Sequence, residues 1–291
     1  MKFRTEYLPG KPELYLDPTE PVILLGSCFA DNIGRRMSLC RWDTLVNPCG
    51  TLYNPSSISK ILRLALSQDD ISETIRESVA CRDNLVVSWL MDSHASTYST
   101  VETIRNVSQR VKSLSAYLRK AGTLIITFGT AWVYELRETP GYIVSNCHKF
   151  SPDTFLRRRL KVCEIVEEWS ELLGVLGRYN PVMRVLFTVS PVRHLKDGFE
   201  GNSRSKAILQ LACEELCDTA GEVFYFPSYE IMNDDLRDYR YYAPDMVHPS
   251  EVAVEYIWEK FQQSYLSPES QRMLKDGERE TKRLNHRPII S

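Results

Sequence analysis

Three residue types in this 291-residue chain have the chemistry of acyl transfer. Ser27 follows the apolar run Val22-Ile-Leu-Leu-Gly26. Asp245 and His248 stand three residues apart in Tyr241-Tyr-Ala-Pro-Asp-Met-Val-His-Pro-Ser250, a loop closed by Pro249. That spacing lets a carboxylate turn to its own imidazole, fix the tautomer and leave the other ring nitrogen as a base. A serine at a strand end completes the ingredients of nucleophilic catalysis. Each also has a plainer reading: Ser27 as a helix N-cap, and Asp245 with His248 as a surface turn. Cys28 adjoins Ser27 and is the stronger nucleophile at neutral pH. One residue further along a strand-to-helix turn points elsewhere, however, which makes it an expected core residue.

The elements that would position these groups alternate along the chain. Residues 22–25 form an unbroken apolar run into a turn, the pattern of a buried parallel strand. Phe29, Ile33 and Met37 then recur every four residues, which starts a helix. The same logic gives strands at 123–128, running into Gly129-Thr130, at 184–189, running into Ser190-Pro-Val-Arg-His194, and at 223–226. Helical spacing predicts helices through Ile58, Ile61, Leu62 and Leu66, capped by Ser56 or Ser57, and over 100–120, 151–177, 203–220 and onward from Ser250. The 151–177 helix is expected to start at Ser151-Pro152. Residues 82–92 suggest a hairpin arm or edge strand. Residues 38–57 read as irregular and 133–150 as loop-like, with one short strand at 142–144. Residues 266–291 read as a short helix and a loose charged tail. Alternating strands and helices predict an α/β protein whose parallel sheet is covered on both faces. Loops at one edge of such a sheet converge, so Ser27, Gly129-Thr130 and Ser190 are expected at one site.

Composition narrows the function classes. The chain is 43% apolar and 25% charged, an ordinary globular balance, with net charge -2. That charge gives no pull towards nucleic acid or an anionic membrane. No run approaches a membrane span, and the N-terminus lacks the apolar region of a signal peptide. The eight cysteines form no C-x-x-C pair, so reduced thiols in a cytoplasmic protein are expected. Cys213 and Cys217 lie one helical turn apart and read as core.

The run Gly26-Ser-Cys-Phe-Ala30 is the signature for which the GSCFA family is named. The resemblance continues through Asn47-Pro-Cys-Gly50, Phe128-Gly-Thr-Ala-Trp-Val-Tyr-Glu135, Asn146-Cys-His148, Ser190-Pro-Val-Arg-His194 and Asp245-Met-Val-His-Pro249. It covers roughly residues 3 to 262. The family in turn resembles the SGNH/GDSL hydrolases, a superfamily of esterases, lipases and acyltransferases. The resemblance implies a flavodoxin-like three-layer α/β/α sandwich over residues 1–265, with 266–291 as an appended charged helix or tail. It also implies Ser27 as nucleophile, Asp245 and His248 as its partners, and an oxyanion hole. That hole would combine the Ser27 N–H, a second-block glycine N–H and a third-block asparagine side chain. Gly50 is the glycine favoured here, because its block follows the first helix. The third block reads Gly129-Thr-Ala-Trp132 and lacks the asparagine, which leaves Gly129 and the Thr130 hydroxyl or N–H, or Asn54 as the amide donor. Gly rather than Asp precedes Ser27. Losing one oxyanion donor costs about 100–1000-fold in rate.

Arg193 and His194 should share the Ser27 edge and, with His148, bind a carboxylate, phosphate or sugar hydroxyl; the alternative reading is that they serve only loop backbone. Trp132, Tyr134, Tyr241 and Tyr242 suggest an aromatic platform for a sugar ring, with Asn54 beside it, or simple lid packing. No compact spacing supports a metal, and no cofactor is implied. The reading that follows is a serine-dependent ester hydrolase for O-acyl groups, with O-acetyl esters of carbohydrates the favoured substrates. The alternatives are an O-acyltransferase, using a donor such as acetyl-CoA, and a non-catalytic ligand-binding module. The acyl group, the acceptor and the oligomeric state are not specified by the sequence.

Overall fold

A computed structural model describes residues 4–10, 14–219 and 221–285. In chain order the elements are β1 (Val22–Gly26), α1 (Cys28–Leu39), β2 (Thr44–Val46), α2 (Pro55–Leu66), α3 (Ser72–Glu77), β3 (Val79–Arg82), β4 (Leu85–Ser88), α4 (Thr100–Leu118), β5 (Thr123–Phe128), β6 (Trp132–Leu136), β7 (Ile143–Val144), β8 (Phe155–Arg159), α5 (Val162–Tyr179), β9 (Arg184–Val189), α6 (Gly198–Thr219), β10 (Val223–Phe226), α7 (Ser228–Glu230), α8 (Glu251–Tyr265) and α9 (Pro268–Asn285). The main sheet runs β2-β1-β5-β9-β10, with every neighbouring pair parallel. Counting only its own strands, that is the 2-1-3-4-5 order of flavodoxin-like folds.

Alternation along each strand divides the core in two. Ile23, Leu25, Leu124, Ile126, Phe128 and Phe187 pack beneath α2, α4, α5 and α6. Val22, Leu24, Ile125, Leu186 and Phe226 pack on the other face against Phe29, Ile33 and Met37 of α1 and Ile257, Trp258 and Phe261 of α8. Both faces are covered, so the strand sequences read as continuous apolar runs. This is the three-layer α/β/α architecture expected from the sequence. Among the described residues no helix is long and apolar enough to cross a membrane, and all eight cysteines are free.

Four local expectations are corrected. The segment 38–57 contains a short edge strand, β2. Helix α2 is capped by Asn54, whose Oδ1 accepts the Ser57 N–H at 2.8 Å, with Pro55 in the first turn, rather than by Ser56 or Ser57. Residues 133–159 are not a loop running into a helix: β6 pairs antiparallel with β7 and β8 in a separate three-stranded sheet, and the helix begins only at Val162. Ser151 caps just a single turn at Pro152–Thr154. Beyond α8, α9 is an 18-residue helix rather than a short one. Its Leu274 is buried, and its Gly277 packs so close to the Cys40 carbonyl that a Cβ would lie 2.2 Å from the oxygen. The remainder of the expected tail, 286–291, lies outside the described residues.

The chain turns out of β1 at a crowded point. Gly26 has φ +136°, and a Cβ there would lie 2.1 Å from the Thr127 carbonyl oxygen of neighbouring β5. Replacing it combines strain at positive φ with a backbone clash. Gly26→Ala is therefore expected to lower unfolding free energy by about 3 kcal/mol or more in urea titrations. Gly177→Ala, inside α5 and facing open space, serves as the control and should hold stability or raise it by up to about 1 kcal/mol.

Candidate active site

The β1–α1 turn sets the positions of the first two candidate groups. Ser27 adopts extended geometry (φ -71°, ψ 171°) as N-cap of α1, and its Oγ accepts the Phe29 N–H at 3.3 Å. Its own N–H donates to Thr127 O at 3.2 Å, and only 1% of the residue is exposed. Asn47 braces the same turn: its Oδ1 accepts the Gly26 N–H at 2.8 Å and its Nδ2 donates to Asp31 at 2.7 Å. Cys28, the first residue of α1, is half-buried and lines a cavity of about 410 Å³ above the sheet edge.

Asn54, Thr130, Trp132, Arg193, His194 and His248 line this same cavity, so most of the binding residues expected from the sequence do converge. Asp245 stands behind His248. His248 Nδ1 meets Asp245 Oδ2 at 2.6 Å, while the N–H groups of His248 and Val247 donate to Asp245 Oδ1 at 3.0 and 2.9 Å. These two backbone N–H groups, followed by the imidazole, lower the Asp245 carboxyl to about 2. With Nδ1 engaged, Nε2 is the ring nitrogen left for the cavity. The dyad loop is tied to the exit of β9 by the Arg193 N–H, which donates to Val247 O at 3.1 Å. A left-handed Met246 (φ 58°) allows the turn between Asp245 and His248.

Other expected site residues lie elsewhere. Ser27 and Gly129 do not line the cavity. Gly50 packs against the Asp92 carboxylate and does not line the cavity. His148 is buried, with Nε2 against Ser88 O at 2.9 Å and its ring near Trp89, so it supports a loop rather than a ligand. Tyr242 stands behind the rim, where its ring, with those of Tyr239 and Phe199, surrounds the Arg193 guanidinium at 5.4–5.7 Å. The backbone donors proposed for an oxyanion hole are all engaged: Gly50 N–H to Asn47 O, Gly129 and Thr130 N–H to Tyr53 O, and Ser27 N–H to Thr127 O. The Thr130 hydroxyl meets Ser205 Oγ at 3.1 Å and accepts the Trp132 N–H. The Asn54 amide differs. Its oxygen caps α2, which leaves its NH₂ for the cavity that the residue lines.

One wall comes from the sheet missed in the sequence. Trp132 and Tyr134, two apart on β6, project to one face, and Arg157 of β8 pairs across from Tyr134. The Arg157 guanidinium stacks 4.1 Å from the Trp132 ring centroid and is ion-paired with Asp197. The period-two alternation of Trp132-Val-Tyr-Glu-Leu136 was the available signal. Three buried nitrogens of wall residues, Trp132 Nε1, Arg157 Nε and His194 Nε2, have no hydrogen-bond partner among the described residues. Among the described residues no group of three or more His, Cys, Asp or Glu side chains gathers as a metal-ligand set.

Beneath the cavity lies Lys206 of α6, which the sequence did not single out. Its Nζ donates to Gly129 O and Ser190 O, both at 2.7 Å, and joins the exits of β5 and β9. Burial lowers its pKa to about 7. A neutral amine has two N–H bonds, one for each carbonyl. His194 is pushed down to about 4, first by burial, then by Lys206 and His248. Burial raises the Cys28 thiol, Asp31 adds to the rise, and the first-turn amides and Lys206 oppose it.

Comparison with known proteins places this geometry in context. The model of the GSCFA family matches residues 21–261. No curated protein matches the sequence. Among solved structures, a carbohydrate esterase family 3 protein from Talaromyces cellulolyticus is 8% identical, with 89% of this chain and 99% of that chain covered and a TM-score of 0.38. An acetyl esterase variant with acetate ion is 11% identical, with 89% and 99% covered and a TM-score of 0.33. An acetyl xylan esterase from the rumen bacterium Butyrivibrio proteoclasticus is 10% identical, with 88% and 64% covered and a TM-score of 0.34. These superpositions are loose, and the site stands on this chain's own residues.

The buried lysine makes a stability prediction with a defined sign. Its folded pKa lies below the unfolded lysine value of 10.5, so between about pH 7 and 10.5 the folded state holds fewer protons and stability rises with pH. Urea midpoints of the wild type should climb across that window relative to Lys206→Met. Parallel pH profiles for the two proteins would refute a neutral buried amine.

Proposed function

This chain belongs to the GSCFA family, and we propose that it is an ester hydrolase working through an acyl-enzyme formed at the β1–α1 turn. The observation that carries the reading is the Asp245–His248 hydrogen bond of 2.6 Å, with His248 lining a cavity shared with that turn. A carboxylate so placed orients the imidazole and stabilises it when it takes a proton. The sequence nominates Ser27 as the attacking group, and Cys28 follows it in the same turn. Asn54 and Asn146 both line the cavity, and we assign the Asn54 amide, whose oxygen is fixed as the cap of α2, to the developing oxyanion in place of the residue missing after Gly129.

The wall fits an oxygen-rich substrate. Trp132 and Tyr134 offer aromatic faces for a sugar ring, and the unpartnered Trp132 and Arg157 nitrogens are donors without an acceptor. Among the described residues Arg193 has no carboxylate partner, and its side chain lines the cavity, so its charge can serve an anionic group beside the ester. O-acyl esters of carbohydrates, O-acetyl foremost, are the substrate class assigned. Transfer to an alcohol instead of water would use the same groups. A second reading, a non-catalytic binding module, is favoured by one specific observation: every backbone N–H expected to form the oxyanion hole is bonded to a carbonyl.

Hydrolysis of p-nitrophenyl acetate and of a panel of O-acetylated sugars separates the two. The wild type should turn over, His248→Ala should lose about 100- to 10,000-fold, and Asp245→Asn about 100-fold or more. Asn54→Asp keeps the oxygen that caps α2 but removes the NH₂ donor, so kcat should fall at least about 100-fold with the thermal midpoint little changed. A folded wild type that binds acetylated sugars but hydrolyses none of these esters selects the binding module.

A further inference from the structure

Ser27 and Cys28 are adjacent in sequence but occupy different environments. Ser27 is committed to the fold: it is buried, its Oγ accepts the Phe29 N–H and its N–H donates to Thr127 O. Its side chain closes the start of α1 and is absent from the cavity wall. Cys28 is half-buried and belongs to that wall, together with His248 and Asn54.

We propose that Cys28, not Ser27, is the nucleophile of this site, which makes the protein a thiol-dependent acyl hydrolase. The inference rests on the esterase reading of the cavity and decides which atom attacks. It is carried by the convergence of a cavity-lining thiol, an Asp-oriented imidazole with Nε2 unused, and a free amide donor on one cavity. Cys28 also opens a 12-residue helix, whose N-terminal field favours a thiolate. Burial and Asp31 hold the resting thiol protonated, so attack requires a base.

His248 Nε2 takes the thiol proton as sulfur bonds to the acyl carbon and the carbonyl oxygen becomes the oxyanion at Asn54. The carbon–oxygen bond to the alcohol breaks, and the alcohol leaves with the proton from His248. Water then attacks the thioester, giving one proton to His248. The carbon–sulfur bond breaks, the acid departs, and the proton returns to sulfur. Water is the only co-reactant.

Peptide-resolved mass spectrometry with iodoacetamide, alongside p-nitrophenyl acetate turnover, tests this on wild type, Cys28→Ala, Cys28→Ser, Ser27→Ala and His248→Ala. Cys28 should alkylate at least about 10-fold faster in wild type than in His248→Ala. Turnover should fall at least about 1000-fold in Cys28→Ala and far less in Ser27→Ala, and quenched wild type should carry acetyl on the Cys28 peptide. Cys28→Ser, which preserves shape, guards against a folding artefact of the alanine. Turnover that survives Cys28→Ala and is lost in Ser27→Ala overturns the inference and leaves the esterase reading standing. Equal Cys28 alkylation with and without His248 also overturns it. His248-dependent alkylation in a protein that hydrolyses no ester upholds the activated thiol and removes the ester reading instead.

Discussion

The contact between β1 and β5 at Gly26 and Thr127 governs the site. The two backbones approach so closely that only glycine fits, and at φ +136° the chain leaves the strand in a direction unavailable to other residues. Ser27 is thereby driven inward, where its N–H reaches Thr127 O and its hydroxyl caps α1. The next residue swings out to the cavity. Asn47 secures the arrangement by bonding to both the Gly26 N–H and Asp31. The close approach of two backbones thus decides which of two neighbouring side chains meets the cavity.

The opposite side of the cavity is held by a different device. The dyad loop carries its own internal bonds, Ala243 N–H to His248 O at 2.7 Å and Ser250 N–H to Tyr241 O at 2.8 Å, and is pinned to the β9 exit through Arg193. That arginine sits within three aromatic rings, so the loop is anchored by backbone hydrogen bonding and by cation–π attraction together. His248 is exposed, yet its position is defined. The three sheet exits, β1, β5 and β9, are likewise drawn together, the last two by Lys206.

Much of the fold was legible because burial on both faces leaves an unambiguous trace. Residues 22–25 are apolar without interruption, 123–128 and 184–189 are broken only by Thr123, Thr127, Arg184 and Thr188, and the helices that cover them keep three/four spacing. What was lost was short, edge-placed or mimicked. β2 has three half-buried residues and no periodicity. Ser151-Pro152 carries the chemistry of a helix start, but the Phe155-Leu-Arg-Arg-Arg159 strand that follows pairs with β6, and that tertiary pairing overrode the local signal. α9 is polar almost throughout and gains its place from Leu274 and the close approach of Gly277 to Cys40. The pairing of Asp245 with His248 and the gathering of Arg193, His194, Trp132 and Asn54 at one cavity were readable from motif and strand-end logic. The facing of Cys28 was not, because it depends on a backbone angle at Gly26 rather than on residue type. Lys206 was hidden for a related reason: a lysine inside an amphipathic helix reads as surface until the carbonyls it serves are seen.

The β6–β7–β8 sheet shares no strand with the five-stranded sheet. Its outward face, bearing Trp132, Tyr134 and Arg157, is therefore mechanically separate from the turn that bears Cys28 and the loop that bears His248. Substitutions on that face can redraw the shape of the wall without disturbing the strand register on which the reactive groups depend. The wall can therefore vary while the turn and the loop stay fixed, a modularity written into strand connectivity rather than into any one side chain.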